Sequence, residues 1–424
     1  MKYKLFILLL ISSLAAHAQV EWRGRVVDAQ TGEELPYVSI YASSEHRTLS
    51  NAEGNFVIQA MPDDVLRFSC VGYAKRFVKA SNLDGDVRLN PLAVDLQEVT
   101  VNPIDVEDIL EDIIKQLKKD SRRGKKATSQ FFSRILFSDY NGRELMEAFM
   151  SAKPAVHLHD FTMISGKKVD TDYNLGKKKT KSTNVHRLLE VGPLTLSSSL
   201  WARVKKPLDD VKTLRTHYEI EASPLVGDEG ERIYKIEFRP TQQYAYNQKN
   251  LLANSVKAIL WGTLFVESGT HRLLRFDGGA NNFVVHTAEG YYPTDMKLHI
   301  AYDHIHNFTE VSHISLHGTS DIMNFRALLF NVDDVSLPST KGSVMEADMI
   351  NAIREAGYDE ELWNFSNIVM RTQEEEATAR EMEPDRAFSD IEDYQPSPIV
   401  QRVKGLLMRN GNMIPLHHIY KDNP

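Results

Sequence analysis

Apolar residues recur along this chain at two spacings. From Trp22 to Val101 short runs alternate apolar with polar side chains between clusters of Asp, Asn and Gly, the pattern of a small β-sandwich. Strands are predicted at Arg23 to Val27, Val38 to Ala42, Phe56 to Gln59, Val65 to Val71, Arg76 to Lys79 and Val87 to Leu89. Turn chemistry falls at Asp28-Ala29-Gln30-Thr31-Gly32 and Asn51-Ala52-Glu53-Gly54-Asn55. Over 102–123 the period becomes helical, with Val106, Ile109, Leu110, Ile113, Ile114 and Leu117 on one stripe. Asp105, Glu107 and Asp108 near its start and Lys115, Lys118 and Lys119 near its end suit the helix dipole. Asn102-Pro103 offers an N-cap and a first-turn proline. The segment is read as an amphipathic linker helix that docks on the next domain.

Alternation returns in residues 124–340, predicting a large antiparallel β domain. Phe131 to Ser138 and Glu144 to Met150 flank Tyr140-Asn141-Gly142-Arg143, a strong hairpin signal. The series continues through Ile233 to Phe238, Ala258 to Glu267, Arg272 to Phe276, Phe283 to His286, Met296 to Tyr302, Val311 to His317 and Phe325 to Val332. Residues 341–424 read as a helical C-terminal region. Ser343-Val344-Met345-Glu346 forms a capping box ahead of Met349, Ile350 and Ile353, with Gly357 as a stop. Glu374 to Asp393 is acidic and predicts a polar helix or a mobile linker. Ile399, Val400, Val403, Leu406 and Leu407 predict a last amphipathic helix carrying Arg402, Lys404 and Arg409, which docks on the body or touches a membrane peripherally. The expected fold class is mainly β with added helices.

Four blocks in the first domain carry a family resemblance. They are Gly24-Arg25-Val26-Val27-Asp28-Ala29-Gln30-Thr31-Gly32 running on to Leu35-Pro36-Tyr37-Val38-Ser39-Ile40, then Asn51-Ala52-Glu53-Gly54-Asn55-Phe56, then Leu66-Arg67-Phe68-Ser69-Cys70-Val71-Gly72-Tyr73, and last Leu96-Gln97-Glu98-Val99-Thr100-Val101. In this order they resemble the carboxypeptidase-regulatory-like domain over residues 19–101. The resemblance implies a seven-stranded transthyretin-like sandwich without catalytic residues, often an N-terminal extension of TonB-dependent outer-membrane receptors. Only 323 residues follow Val101, too few for the plug and barrel of such a receptor. A weaker resemblance rests on Asp105-Val106-Glu107-Asp108-Ile109-Leu110, Gly262-Thr263-Leu264-Phe265-Val266 with Arg272-Leu273-Leu274-Arg275-Phe276, Tyr291-Tyr292-Pro293, and Tyr358 through Ile368. These resemble exported envelope proteins in which a sandwich precedes a helix and an antiparallel sheet, and the half-barrel of lipoprotein carriers. A half-barrel implies an apolar hollow, and Trp261, Thr263 and Phe265, alternating on one side of a strand, are the candidate ligand-facing residues; Leu264 and Val266 take the other side. A sheet covered by its own helices is the competing expectation.

Met1-Lys2-Tyr3-Lys4, the apolar run Leu5 to Ile11 and Ala16-His17-Ala18 have the form of a signal peptide over 1–18, cleaved between Ala18 and Gln19. The apolar run is short of a membrane span, and no cysteine stands at the cleavage site for lipid attachment. Losing Lys2 and Lys4 takes the formal charge from −8 to −10, which argues against nucleic acid as a partner. No transmembrane segment is expected after cleavage, and the basic runs Lys118 to Lys126 and Lys177 to Lys181 read as solvated loops. Cys70 is the single cysteine and shares a strand face with Leu66 and Phe68, which predicts packing.

Candidate chemistry is sparse. His286-Thr287-Ala288-Glu289 has the local spacing of a zinc carboxypeptidase, at the frequency chance would give. His157 with His159, and His304 with His306, pair two histidines on a strand face without a third ligand, and His417-His418 lies in the tail. No Gly-x-Ser-x-Gly turn occurs. No catalytic, cofactor-binding or metal residue is assigned. The expected function is a non-enzymatic exported protein in binding or assembly at the periplasmic face of the outer membrane, partnered by an envelope protein. A carrier or sensor of an apolar ligand is the alternative, and an enzyme of unrecognised type the third.

Overall fold

The computed structural model describes residues 20–42, 46–95, 104–124, 127–139, 143–153, 159–170, 211–227, 230–249, 259–287, 290–304, 307–321, 323–332, 363 and 369–381. It is mainly β, as the sequence predicts. The first domain contains β1 (Val20–Asp28), β2 (Ser39–Tyr41), β3 (Arg47–Leu49), β4 (Asn55–Ala60), β5 (Val65–Ser69), β6 (Arg76–Lys79) and β7 (Asp86–Leu89). They form a three-stranded sheet, β4-β1-β7, and a four-stranded sheet, β3-β2-β5-β6. The six strands legible in the sequence are all present. The seventh, β3, is three residues long, too short to show a period.

Alternation explains the sandwich core. Val26, Ile40, Phe56, Leu66, Phe68 and Leu89 point inward and are buried, with Phe56 edge-on to Phe68 at 5.4 Å. Gly54 lies at φ +74, and a Cβ there would stand 2.7 Å from the Val26 carbonyl, so this turn requires glycine. Cys70 lies just past β5 and packs on this core, as expected.

The sandwich passes into the second domain through β8 (Ala93–Val94), which pairs with β12 at the edge of an eleven-stranded antiparallel sheet. The other strands are β9 (Ser129–Asp139), β10 (Arg143–Lys153), β11 (His159–Asp170), β12 (Tyr218–Val226), β13 (Arg232–Pro240), β14 (Ile259–Glu267), β15 (Leu273–Thr287), β16 (Gly290–Asp303), β17 (Glu310–Thr319) and β18 (Met323–Asn331). The spatial order is β11-β10-β9-β18-β17-β16-β15-β14-β13-β12-β8, so the sheet is open and β18 returns to lie beside β9.

β15 runs unbroken where the sequence suggests two strands. Gly278-Gly279 looks like an interruption, but both residues stay in register with β14. A Cβ on Gly279 would lie 1.9 Å from the Met296 carbonyl oxygen, so these glycines admit a close neighbouring backbone. The register with β16 shifts only between Ala280 and Phe283, where Asn282 takes a positive φ of 56.

The linker helix α1 (Val106–Gly124) lies on one face of this sheet. Its cap is Asp105, whose Oδ1 accepts from the amides of Glu107 and Asp108 at 3.0 and 3.2 Å; Asn102 and Pro103 are outside the described residues. All six apolar stripe residues are at most 8% exposed and share one core with the sheet face of Phe137, Leu264, Phe276 and Leu298. Near its C-terminus Asp120 Oδ2 accepts from the amide and hydroxyl of Thr309, at 3.0 and 2.8 Å. Two short helices, α2 (Val211–His217) and α3 (Gln242–Lys249), add Leu214 and Tyr244 to this side. The acidic stretch supplies α4 (Gln373–Glu381). Residues 1–19, the capping box at Ser343 and the last amphipathic helix lie outside the described residues.

Ile113 is 1% exposed. Its replacement by Ala should cost about 2–5 kcal/mol in urea unfolding. Glu111→Ala on the exposed side of α1 should stay within about 0.5 kcal/mol.

Candidate functional site: the charged seam between sandwich and sheet

The other face of the sheet carries the sandwich, and strand register lines up two rows of side chains there. Residues paired across six strands give the row Thr263, Asp277, His299, Ser315, Leu328, Arg134 and, on a seventh, Glu147. The neighbouring row runs Phe265, Arg275, Ala301, His313, Phe330, Phe132 and Phe149. An antiparallel sheet exposed on this side would carry solvated polar residues. Here Arg134, Glu147 and His313 are at most 5% exposed.

The sandwich reaches these rows at three places. After β5, the Val71 carbonyl and the Cys70 sulfur receive Arg275 Nη1, the sulfur at 3.4 Å, while the Arg275 guanidinium stacks 4.2 Å over Phe265. From β3, Arg47 donates to the carbonyl of Asn331 and, at 2.8 Å, to its side-chain oxygen, and lies 5.2 Å over Phe330. Between them Tyr37 holds φ 57, an uncommon left-handed conformation for a bulky residue. Its ring lies 5.5 Å from that of His299 and 6.1 Å from that of His313.

Under Tyr37 runs a short proton chain. His299 Nδ1 is 2.5 Å from Asp277 Oδ1, and the Nε2 atoms of His299 and His313 face each other at 2.9 Å. Since the carboxylate only accepts, Nδ1 of His299 carries a proton, and one proton is shared between the two Nε2 atoms. His313 Nδ1 is buried and has no hydrogen-bond partner among the described residues. Burial, followed by His299, Arg275 and Arg47, pushes the His313 pKa well below its ordinary value, with Asp277 opposing. Burial works against the Asp277 carboxylate, but His299 and Arg275 outweigh it and hold its pKa far down. Burial raises the Cys70 thiol despite Arg275 beside it, so Cys70 stays protonated and is a poor nucleophile. An Asp–His pair is a general-base arrangement, but here its next partner is a second histidine beneath a tyrosine lid. The arrangement holds a proton within the sheet, directly beneath the sandwich.

Further along the rows the charges pair. Arg134 Nε meets Glu147 Oε1 at 2.6 Å, and Arg371 Nη2 meets Glu147 Oε2 at 2.7 Å. Arg371 belongs to the described part of the C-terminal region, and Trp363 lies against Phe149, ring centroids 4.8 Å apart and tilted by 57°, while donating to Ser165.

The residues singled out by sequence fall differently. Phe265 is 6% exposed and lies against the sandwich, where a Cβ on Gly72 would touch its ring at 3.3 Å. Trp261 and Thr263 are half-buried on this same side, and Leu264 and Val266 face α1. His286 sits on β15 opposite Tyr291, and His159 on β11 opposite Lys153, with Glu289, His157, His306 and His417-His418 outside the described residues. Among the described residues no cluster of three or more His, Cys, Asp or Glu side chains is arranged to hold a metal ion, and no helix is long and apolar enough to cross a membrane.

Residues 22–101 match the model of the CarboxypepD_reg-like domain, a non-catalytic domain type, in agreement with the resemblance carried by the sequence. No curated protein matches the sequence. Among solved structures, one reported for lipid-protein interactions in lipovitellin aligns with 51% of this chain at 9% identity and a TM-score of 0.20. This chain spans 26% of that one. The structure of MucB in complex with MucA(peri) aligns with 57% of this chain and 100% of its own at 7% identity and a TM-score of 0.17. Neither score amounts to a shared fold.

The seam should respond to acid. His313 is held neutral when docked and has an ordinary value near 6.5 when released, so the released state binds the extra proton. Stability is therefore complete above about pH 6.5 and falls as pH drops below it, by up to about 1.4 kcal/mol per pH unit until the docked histidine also protonates. Asp277, held low, adds its own loss only near and below its ordinary value of 3.8. Urea midpoints from pH 7.5 to 4.5 should show this slope in the natural protein and a flatter one in His313→Gln.

Proposed function

We propose that the protein is a non-catalytic binding or assembly protein of the cell envelope, working at the periplasmic side of the outer membrane. One observation carries the reading. The helix face of the sheet is packed by α1, and the opposite face is covered over its central rows by the sandwich and by residues 369–381. A carrier of apolar cargo needs an open apolar hollow, whereas the described apolar residues of the two sheet faces are packed internally. While the seam is closed, the described residues leave the outer sandwich surface and the sheet edges for partners. The form of residues 1–18 and the CarboxypepD_reg-like domain support export.

Native mass spectrometry of protein purified from its envelope fraction tests this. The expected spectrum is a mature chain beginning at Gln19, free of lipid, with a protein partner retained in gentle pull-downs. A stoichiometric lipid adduct would replace this reading with that of a carrier whose α1 swings away.

A further inference from the structure

The segment around Arg371 sits in the seam as a bound peptide would. Val369, 4% exposed, adds to the outer edge of β3 through a parallel bridge with Leu49. Arg134 takes the carbonyls of Val369 and Met370, at 2.9 and 3.4 Å, and Asn51 takes that of Arg371 at 3.1 Å. The Arg371 guanidinium spans both oxygens of Glu147, at 3.1 and 2.7 Å. Glu53 accepts the Gln373 amide at 3.1 Å. Thr372 and Glu375 then close a reciprocal capping box that starts α4.

The main chain is thus read from both walls. Asn51 and Glu53 belong to the sandwich, Arg134 and Glu147 to the sheet. Reading successive main-chain groups while a pocket takes selected side chains is how extended peptides are recognised by a strand edge. Arg134 and Glu147 also pair with one another at 2.6 Å, so the groove keeps its charges compensated when the segment leaves.

We infer that the seam is a peptide-docking groove which the chain closes with its own residues 369–376, and that the same segment of a second copy can take its place. Thirty residues, 333–362, separate Val332 from Trp363, a chain whose fully extended reach is about 100 Å. Closure within one chain and between two copies therefore uses identical contacts, and reciprocal exchange gives a closed dimer. Closure in cis is favoured at low concentration because the segment is covalently attached. The inference names the partner class of the site described above and rests on the binding-protein reading for its use.

A protease site inserted between Gly342 and Ser343 of the full chain allows the tether to be cut. The cut C-terminal piece should stay bound through gel filtration, and a fluorescent synthetic peptide of residues 363–381 should replace it. An Arg371→Ala peptide should bind about a hundredfold more weakly, and an Ala377→Ser peptide, changed at an exposed position, as well as the natural one. In uncut protein, two differently tagged copies incubated at high concentration should co-purify, and should not when both carry Arg371→Ala. Equal binding of the natural and Arg371→Ala peptides, or no exchange in either format while the body keeps its unfolding transition, overturns the groove. Peptide exchange in a protein that carries stoichiometric lipid would keep the groove and sink the assembly reading.

Discussion

An open sheet of eleven strands has two broad faces and two edges to shelter, and the rest of the chain is arranged around that demand. One amphipathic helix, anchored at its end by Asp120 and Thr309, covers the first face with a continuous apolar stripe. The second face is met by the sandwich through polar and apolar residues together, among them Arg47, Tyr37, Leu49 and Val71. A purely apolar stripe cannot match the polar part of this contact, and the sheet turns Arg134, Glu147, Asp277, His299 and Arg275 toward it. Each is paired, because a buried unpaired charge costs several kcal/mol. The two faces of one sheet thus obey different rules, hydrophobic on the helix side and mixed on the sandwich side, where paired charges stand beside Phe132, Phe149, Phe265 and Phe330.

The electrostatic side is also the conditional one. Apolar packing responds little to pH, whereas a chain of Asp277, His299 and His313 under Tyr37 depends on which protons are present. The strained backbone of Tyr37 belongs to the same arrangement, since a left-handed tyrosine persists only where its surroundings over-determine it.

The fold was legible where local chemistry decides it. The Asn-Gly signal between β9 and β10, two-residue alternation in the sandwich and the stripe from Val106 to Leu117 carry their own information. β11 and β12 were not seen, because His159–Asp170 contains Gly166-Lys167-Lys168 and Tyr218–Val226 mixes glutamates with apolar residues. Neighbours and hydrogen bonds, more than patterning, hold such strands. The seam was invisible for a deeper reason: Asp277, His299, Ser315 and Arg134 meet only when several strands take one register. A weaker signal was available. Arg134 stands between Phe131-Phe132 and Ile135-Leu136-Phe137, and Glu147 between Met146 and Ala148, single charges inside apolar strands whose burial demands a partner.

The return of β18 to the side of β9 sets an order of events for the growing chain. Residues 131 and 331 are neighbours in the finished sheet, so the hairpin of β9 and β10 keeps one open edge until β18, the last of the described strands, has been synthesised. Pairings of such separation are slow to form. The junction of the third and fourth strands of this sheet is therefore the latest to close, and any factor that attends the newborn protein meets an unfinished edge inside its future fold.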